Sequence, residues 1–366
     1  MSKHYFLGAA AGFYRKERLT HTFAIGTKKD SLKLCEYLAK EYHSDLDHVA
    51  LTKNGRSALA IALKATVPKN SEVVLNGLTC YAVIEAVRAA KLVPVFADVD
   101  KETLHFNAET LEKVLKKHPN VKAIITQNTF GIPIEITKIE KLAKKYDFKI
   151  IEDLAHSAGT YYEDGRKVGD VGIATAFSFG KEKAIDTISG GAVILRDTTL
   201  PKIKAPSVSP KFSDVFRARF YPLFGAIYRT LSYIKLNGIW MRILLKLRFV
   251  EKSADNKLDL DHRPPHFEAK LALAKLKAAK NRPLRDFMLV ENRDLVLKQL
   301  HEHGYYFESF WYDTPIIPER YYKKSHYKEE DCPMAVEITK KIINFPNYYY
   351  KKDLKTAYNI TKEFEK

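Results

Sequence analysis

The chain has 366 residues, 46% of them hydrophobic and 29% charged, with a formal net charge of +17. Such a length and apolar content provide a sizeable core in roughly two domains and exclude a disordered or low-complexity chain. Three scattered cysteines, Cys35, Cys80 and Cys332, exclude a disulfide framework and a Cys-x-x-Cys zinc site, and fit a reducing cytoplasm.

The excess of cations is open to several partners: nucleic acid, an anionic membrane, phosphorylated small molecules, or solvent alone. No helix-turn-helix, zinc or RNA-binding signature accompanies it, so nucleic acid is not the expected partner. Met1 to Arg15 holds no long apolar run with a small-residue cleavage site behind it, so no signal peptide is expected. No uninterrupted apolar run reaches about 18 residues, so no transmembrane helix is expected either.

From about residue 45 to residue 200, short apolar runs alternate with helical patterns. Asn54-Gly55-Arg56-Ser57 stands directly before the helical stretch Ser57 to Ala65. A glycine at a helix start leaves N–H groups pointing outward at the positive end of the dipole, which makes either a phosphate cup or an ordinary N-cap turn. Apolar runs follow at Val73 to Leu75, Val93 to Phe96 and Val121 to Thr126, and a helix is predicted over Ile136 to Tyr146. The run Phe148 to Glu152 leads into Asp153-Leu154-Ala155-His156. Ligands of open α/β sheets collect at the carboxyl ends of parallel strands, so Asp153 either pairs with a cationic group or caps the next helix.

Thr175 to Phe179 is the next run, and Gly180-Lys181-Glu182-Lys183 leaves it. Ser178 offers a hydroxyl to phosphate there. A lysine close behind a buried strand is either a desolvated, nucleophilic amine or one more surface lysine. Ser189-Gly190-Gly191 precedes the last run, Ala192 to Leu195, and paired glycines permit a tight turn or a close approach to a ligand. The alternation is a βαβ rhythm. Nearly all-apolar strands are those of a mostly parallel α/β sheet covered by helices on both faces.

Lys211 to Lys252 reads differently. It mixes bulky apolar residues, Trp240, Leu244 and Leu245 among them, with Arg217, Arg219, Arg229, Lys235, Arg242, Lys246 and Arg248, and acids are nearly absent. That make-up fits an amphipathic element lying on a membrane or touching a lipid-linked substrate, and equally a subunit interface or a cover for the active site. Pro222 to Leu231 and Ile239 to Leu247 are each too short to span a bilayer. Farther on, helices are predicted over Phe267 to Ala279, Arg285 to His303, Ala335 to Ile342 and from about Lys352. The expected division is a large domain with an N-terminal arm over 1–200, a basic insert over 201–262 and a smaller α/β domain over 263–366.

The order and spacing of these motifs resemble the DegT/StrS-type family, the nucleotide-sugar aminotransferases of the fold-type I pyridoxal-phosphate (PLP) superfamily. The likeness runs through Asn54 to Leu59 (the family's Ser-Gly-Thr-x-Ala-Leu), Leu78-Thr79-Cys80-Tyr81, Pro94 to Asp100 and Phe130-Gly131-Ile132-Pro133. It continues through Glu152 to His156, Val168-Gly169-Asp170, Phe177-Ser178-Phe179 with Lys183, and Asn344-Phe345-Pro346.

The resemblance implies a fold-type I α/β fold, pyridoxal 5′-phosphate as cofactor, and a homodimer. It implies Lys183, four residues after Phe179, as the Schiff-base lysine and Asp153 as the carboxylate on the pyridine nitrogen. Ser178 and the stretch Gly55-Arg56-Ser57 fall at the phosphate, and His156 stands near the 3-hydroxyl where the family usually has Gln. Cys80, with Tyr81 beside it, stands where an aromatic residue often stacks on the PLP ring. Ile188 and Ser189 replace a glycine and a glutamate, and Asp261 replaces an asparagine two before Arg263. The implied activity is transfer of an amino group, usually from glutamate, to a nucleotide-linked keto sugar for glycan or polysaccharide precursors, in the cytoplasm or at the membrane surface. Two alternatives stand beside it: a PLP sugar dehydratase, in which a His replaces the lysine, and a non-catalytic membrane-associated or regulatory relative.

Overall fold

The computed structural model describes residues 5–7, 18–251, 257–307, 311–347 and 351–365, so the expectation for Met1 to Arg15 and the end of the stretch to Lys252 lie largely outside it. The chain opens with β1 (Tyr5–Leu7), α1 (Arg18–Thr22) and α2 (Lys28–Glu41). Then come β2 (Val49–Thr52), α3 (Gly55–Thr66), β3 (Glu72–Asn76), the short β4 (Thr79–Cys80), α4 (Tyr81–Ala89) and β5 (Val93–Ala97). The rhythm continues through α5 (Ala108–Lys117), β6 (Val121–Thr126), α6 (Ile136–Tyr146), β7 (Lys149–Asp153), β8 (Ala174–Ser178) and β9 (Gly191–Leu195).

Seven of these strands form one sheet in the order β2-β9-β8-β7-β6-β3-β5. β8, β7, β6, β3 and β5 pair in parallel, while β9 runs antiparallel between β8 and β2. The period-2 alternation of each strand feeds two cores. Val73, Leu75, Ala123, Ile125, Val193 and Leu195 point to the face covered by α3 and α4. Val74, Ile124, Ile150, Phe177 and Ile194 point to the face covered by α2, α5 and α6. Both faces are buried, which is why the strands read as continuous apolar runs.

The predicted strands and helices of this region are all present, within one or two residues at the ends. α3 begins at Gly55 rather than at Ser57, because Asn54 is the N-cap and accepts the Ser57 N–H at 3.0 Å.

The remaining elements are α7 (Phe212–Ser232), α8 (Asn237–Lys246), α9 (His266–Lys277), β10 (Arg285–Leu289), α10 (Arg293–Glu302), β11 (Tyr305–Phe307), β12 (Ile316–Ile317), α11 (Tyr322–Ser325), α12 (Pro333–Lys341), β13 (Ile342–Pro346) and α13 (Lys351–Lys362). One expectation is corrected here. Arg285 to His303 is not one helix: Arg285–Leu289 is a strand paired antiparallel with β13, and the helix starts only after Asn292, whose side chain accepts the Leu295 N–H. The ladder partner of β10 lies some distance along the chain, where local periodicity cannot see it.

β1 pairs with β11, so the N-terminal strand joins the C-terminal region. α9 packs Ala269, Ala272 and Leu276 into the same core as α2 and the large sheet. Among the described residues no helix is long and apolar enough to cross a membrane.

Candidate active site

The carboxyl ends of β7 and β8 deliver Asp153 and Ser178 to one cavity of about 820 Å³. Five more of the predicted site residues, Gly55, Arg56, Cys80, His156 and Lys183, line it as well.

Asp153 is the last residue of β7. Its Oδ1 accepts the Ala155 N–H at 3.0 Å, and burial pushes the carboxyl above its ordinary range, against that bond and the nearby Lys183. Three residues on, His156 is buried. The Phe130 N–H donates to its Nδ1 at 3.3 Å. That Nε2 stands 3.2 Å from Lys183 Nζ. Burial, then the charges of Lys183, Arg285 and His105, hold the imidazole well below its ordinary pKa, so the ring is neutral.

Lys183 sits on the loop between β8 and β9. Asp186 clamps that loop, with its carboxylate accepting the Glu182 N–H at 2.5 Å and the Ile188 N–H at 2.9 Å. Burial raises the Asp186 pKa to about 7. Glu182 and Ile188 adopt left-handed φ values of 61° and 78°. Ile188 stands where the resemblance places a family glycine, and its positive φ is the conformation glycine adopts at least cost. Behind the loop, Ser189 donates its hydroxyl to the buried Glu268 at 2.7 Å, and burial raises that carboxyl to about 8. A carboxyl group from α9 thus stands beside Ser189, where the resemblance places a family glutamate.

The start of α3 faces Ser178. A Cβ on Gly55 would lie 2.5 Å from Ser178 Cβ, so only glycine lets the helix terminus come this close to the end of β8. The Ser178 Oγ accepts the Gly180 N–H at 3.4 Å. The Arg56 guanidinium is paired with Glu85.

Two predicted residues do not reach the cavity. Ser57 is buried and holds the cap, donating to Asn54 Oδ1 at 2.9 Å and accepting the Asp259 N–H at 3.0 Å. Tyr81 turns away and stacks on Tyr321 at 4.5 Å with an interplanar angle of 7°.

Sequence reasoning missed the opposite wall. Trp311 and Tyr312 line the cavity, although Cys80 alone occupies the place of the family's aromatic. Lys183 Nζ lies 4.8 Å from the centre of the Trp311 ring, and His156 lies at the same centroid distance. The Trp311 Nε1–H donates to Glu182 Oε2 at 3.3 Å, which ties this wall to the lysine loop. Asn344 donates to the Trp311 carbonyl at 3.0 Å and accepts from Arg285 Nε at 2.7 Å. The one available signal was Asn344-Phe345-Pro346, a motif whose role in holding Trp311 appears only in three dimensions.

The basic segment covers the site. Tyr221 and Tyr228 of α7, and Met241, Arg242 and Leu245 of α8, line the cavity. Lys181 anchors the segment's end, donating to the Glu251 carbonyl at 2.5 Å and lying 4.3 Å from the Tyr221 ring centre; burial lowers its pKa to about 8.

Comparison with known proteins adds an independent line. A profile of the DegT/DnrJ/EryC1/StrS aminotransferase family matches residues 23–206, half of the chain. The GDP-perosamine synthase of Escherichia coli O157:H7 is 33% identical over 188 residues, which cover 51% of this chain and 50% of that protein. The L-glutamine:2-deoxy-scyllo-inosose aminotransferase of Streptomyces kanamyceticus is 32% identical over 163 residues, covering 44% and 37%. The matched stretch therefore spans half or less of these relatives. The crystal structure of a DegT DnrJ EryC1 StrS aminotransferase from Brucella abortus covers 95% of this chain and 93% of its own at a TM-score of 0.65 and 20% identity, a likeness of fold.

Proposed function

This chain belongs to the DegT/DnrJ/EryC1/StrS aminotransferase family, and on that premise we propose that it is a PLP-dependent sugar aminotransferase acting on a keto sugar. The observation that carries the reading is the convergence of Lys183, Asp153, His156 and the Gly55–Ser178 cradle on one cavity.

The residues fit the cofactor. The cradle at Gly55 combines a helix N-terminus with the Ser178 hydroxyl, the donor set a phosphate takes. Asp153 is a partly buried carboxyl at the end of β7 that accepts the Ala155 N–H and faces the cavity, and it suits a protonated pyridine nitrogen. Lys183 Nζ is the amine for covalent attachment. PLP, when bound, supplies an electron sink that makes a Cα proton removable.

The chain's own groups do the rest. With the cofactor bound, the Lys183 amine would be the group placed to take and return the Cα proton. His156 aims that amine through its Nε2. Asp153 keeps the ring-nitrogen proton in place. Trp311, Tyr312, Tyr228 and Leu245 wall the cavity against water. Arg242 and Arg320 line the same cavity and offer charge to a diphosphate, which supports a nucleotide-linked sugar. Glutamate as donor, a homodimeric assembly and a place in glycan or polysaccharide precursor synthesis complete the proposal.

Borohydride reduction of the PLP-loaded protein followed by peptide mapping tests it. The pyridoxyl group is expected on Lys183. Its appearance on Lys181, or no labelling at all, overturns the assignment.

A further inference from the structure

The α7–α8 segment presents two unlike faces. On α8, Leu244 is buried, and Gly238, Met241 and Leu245 line the cavity. Half a turn away, Ile239, Ile243 and Leu247 are exposed at 49%, 44% and 54%. Lys246 alternates with them and is also exposed, and the exposed Arg242, which borders the cavity, stands at the stripe's edge. Spacings of three and four residues put these five side chains on one stripe. The connection from α7 to α8 adds Ile234, Lys235 and Leu236, and Arg248 follows the stripe, all of them exposed. From Val215 to Val250 the chain contains no Asp and no Glu.

We infer that this outer face docks on an anionic lipid bilayer, with α8 lying in the headgroup layer. An apolar stripe left in water needs a partner, and this one is interleaved with cations. A second copy packed on this stripe about a two-fold axis through α8 would set the patch against itself. Cations would then oppose cations, with no acid between Val215 and Val250 to meet them. An anionic bilayer meets both demands, since aliphatic side chains enter the acyl boundary while Lys and Arg stay among the headgroup charges. A helix of the length of Asn237–Lys246 is about 15 Å long and lies along the surface rather than crossing it. The inference uses the face turned away from the cavity and does not depend on the aminotransferase reading.

Co-sedimentation of the full chain with vesicles tests it, using phosphatidylcholine alone and phosphatidylcholine mixed with phosphatidylserine. The protein is expected to sediment with the mixed vesicles and to be released by salt. The Ile239→Ser/Ile243→Ser/Leu247→Ser variant is expected to stay in the supernatant while its circular dichroism and PLP loading match wild type. The Lys235→Gln/Lys246→Gln/Arg248→Gln variant is expected to bind roughly a hundredfold more weakly, at about fivefold per cation. This second variant decides the matter if the first fails to fold. Wild type remaining in the supernatant with anionic vesicles at low salt overturns the inference. So does salt-insensitive binding to phosphatidylcholine alone. Sedimentation velocity that shows a wild-type dimer and a monomeric serine variant assigns the face to a second copy instead.

Discussion

Lys183 gathers the residue-scale chemistry, because His156, Trp311 and the Asp186-clamped loop all fix its amine. Lys183→Ala is expected to abolish turnover and the absorbance of the lysine-bound cofactor while the unfolding transition stays in place. Asp153→Asn is expected to retain cofactor and lose turnover by orders of magnitude, since an amide cannot hold the ring-nitrogen proton as a carboxylate does; PLP stoichiometry beside steady-state kinetics separates the two effects. Gly55→Ala sets two effects against each other. Alanine favours a helix by about 1 kcal/mol, but its Cβ would stand 2.5 Å from Ser178 Cβ. The contact dominates, and equilibrium titration with PLP is expected to show at least tenfold weaker binding. At Ile188 the opposite balance holds. Its left-handed φ of 78° costs about 1–3 kcal/mol, yet its side chain is buried with Ala218 and Phe267, and truncation costs about 2–5 kcal/mol. Denaturant unfolding of Ile188→Gly is therefore expected to show a net loss of stability.

Single elements bring the walls to the cavity. β12 pairs with β4 and so places Ile317 beside Cys80, and Asn344 of β13 holds the Trp311 carbonyl. The chain has two tryptophans, Trp240 and Trp311, and only Trp311 lines the cavity. In a Trp240→Phe background, the remaining emission is expected to fall when PLP is added and to recover when it is removed. Unchanged emission with bound PLP would place Trp311 away from the cofactor. The α7–α8 segment acts as cover with one face and leaves an apolar, basic stripe with the other. Trp240, Leu244 and Leu245, which the membrane reading of this segment puts on lipid and the cover reading puts inside, turn inward: Leu244 is buried, Leu245 lines the cavity, and Trp240 Nε1–H donates to the Phe224 carbonyl at 3.2 Å.

For the molecule as a whole, the two-faced sheet sets stability and the carboxyls of Glu268 and Asp186 set part of its pH dependence. Glu268 has its pKa raised from 4.5 to about 8, by burial first and then by the neighbouring Asp186 and Asp214. Between those two values the folded chain keeps a proton that the unfolded chain has released, so stability is full below the lower value and falls as pH rises through the upper one. Glu268→Gln does not titrate. Its melting temperature relative to wild type is expected to rise from pH 5 to pH 8, and parallel curves would show that Glu268 does not titrate in this window. Asp186, raised to about 7 beside Lys275, contributes a slope of the same sign below about pH 7.

What the sequence determined by itself was local. Strand and helix periods, the Asn54-Gly55 helix start, and Asp153, Ser178 and Lys183 at or just after the ends of buried strands are all written in neighbouring residues, and they mark the side of the cavity proposed to hold the cofactor. The strand at Arg285 to Leu289, the role of Trp311 and the division of α8 into two faces depend on partners far along the chain. Tyr81 and Ser57 were singled out by their place in a motif, and only packing against Tyr321 and Asp259 turned them away from the cavity. Glu268 carried no local signal, because a carboxylate on a helix reads as solvent-facing until the fold buries it under Ser189. Periodicity encodes which face of an element is apolar. What that face meets, and which polar group is trapped there, is settled by long-range contacts that no window of the sequence contains.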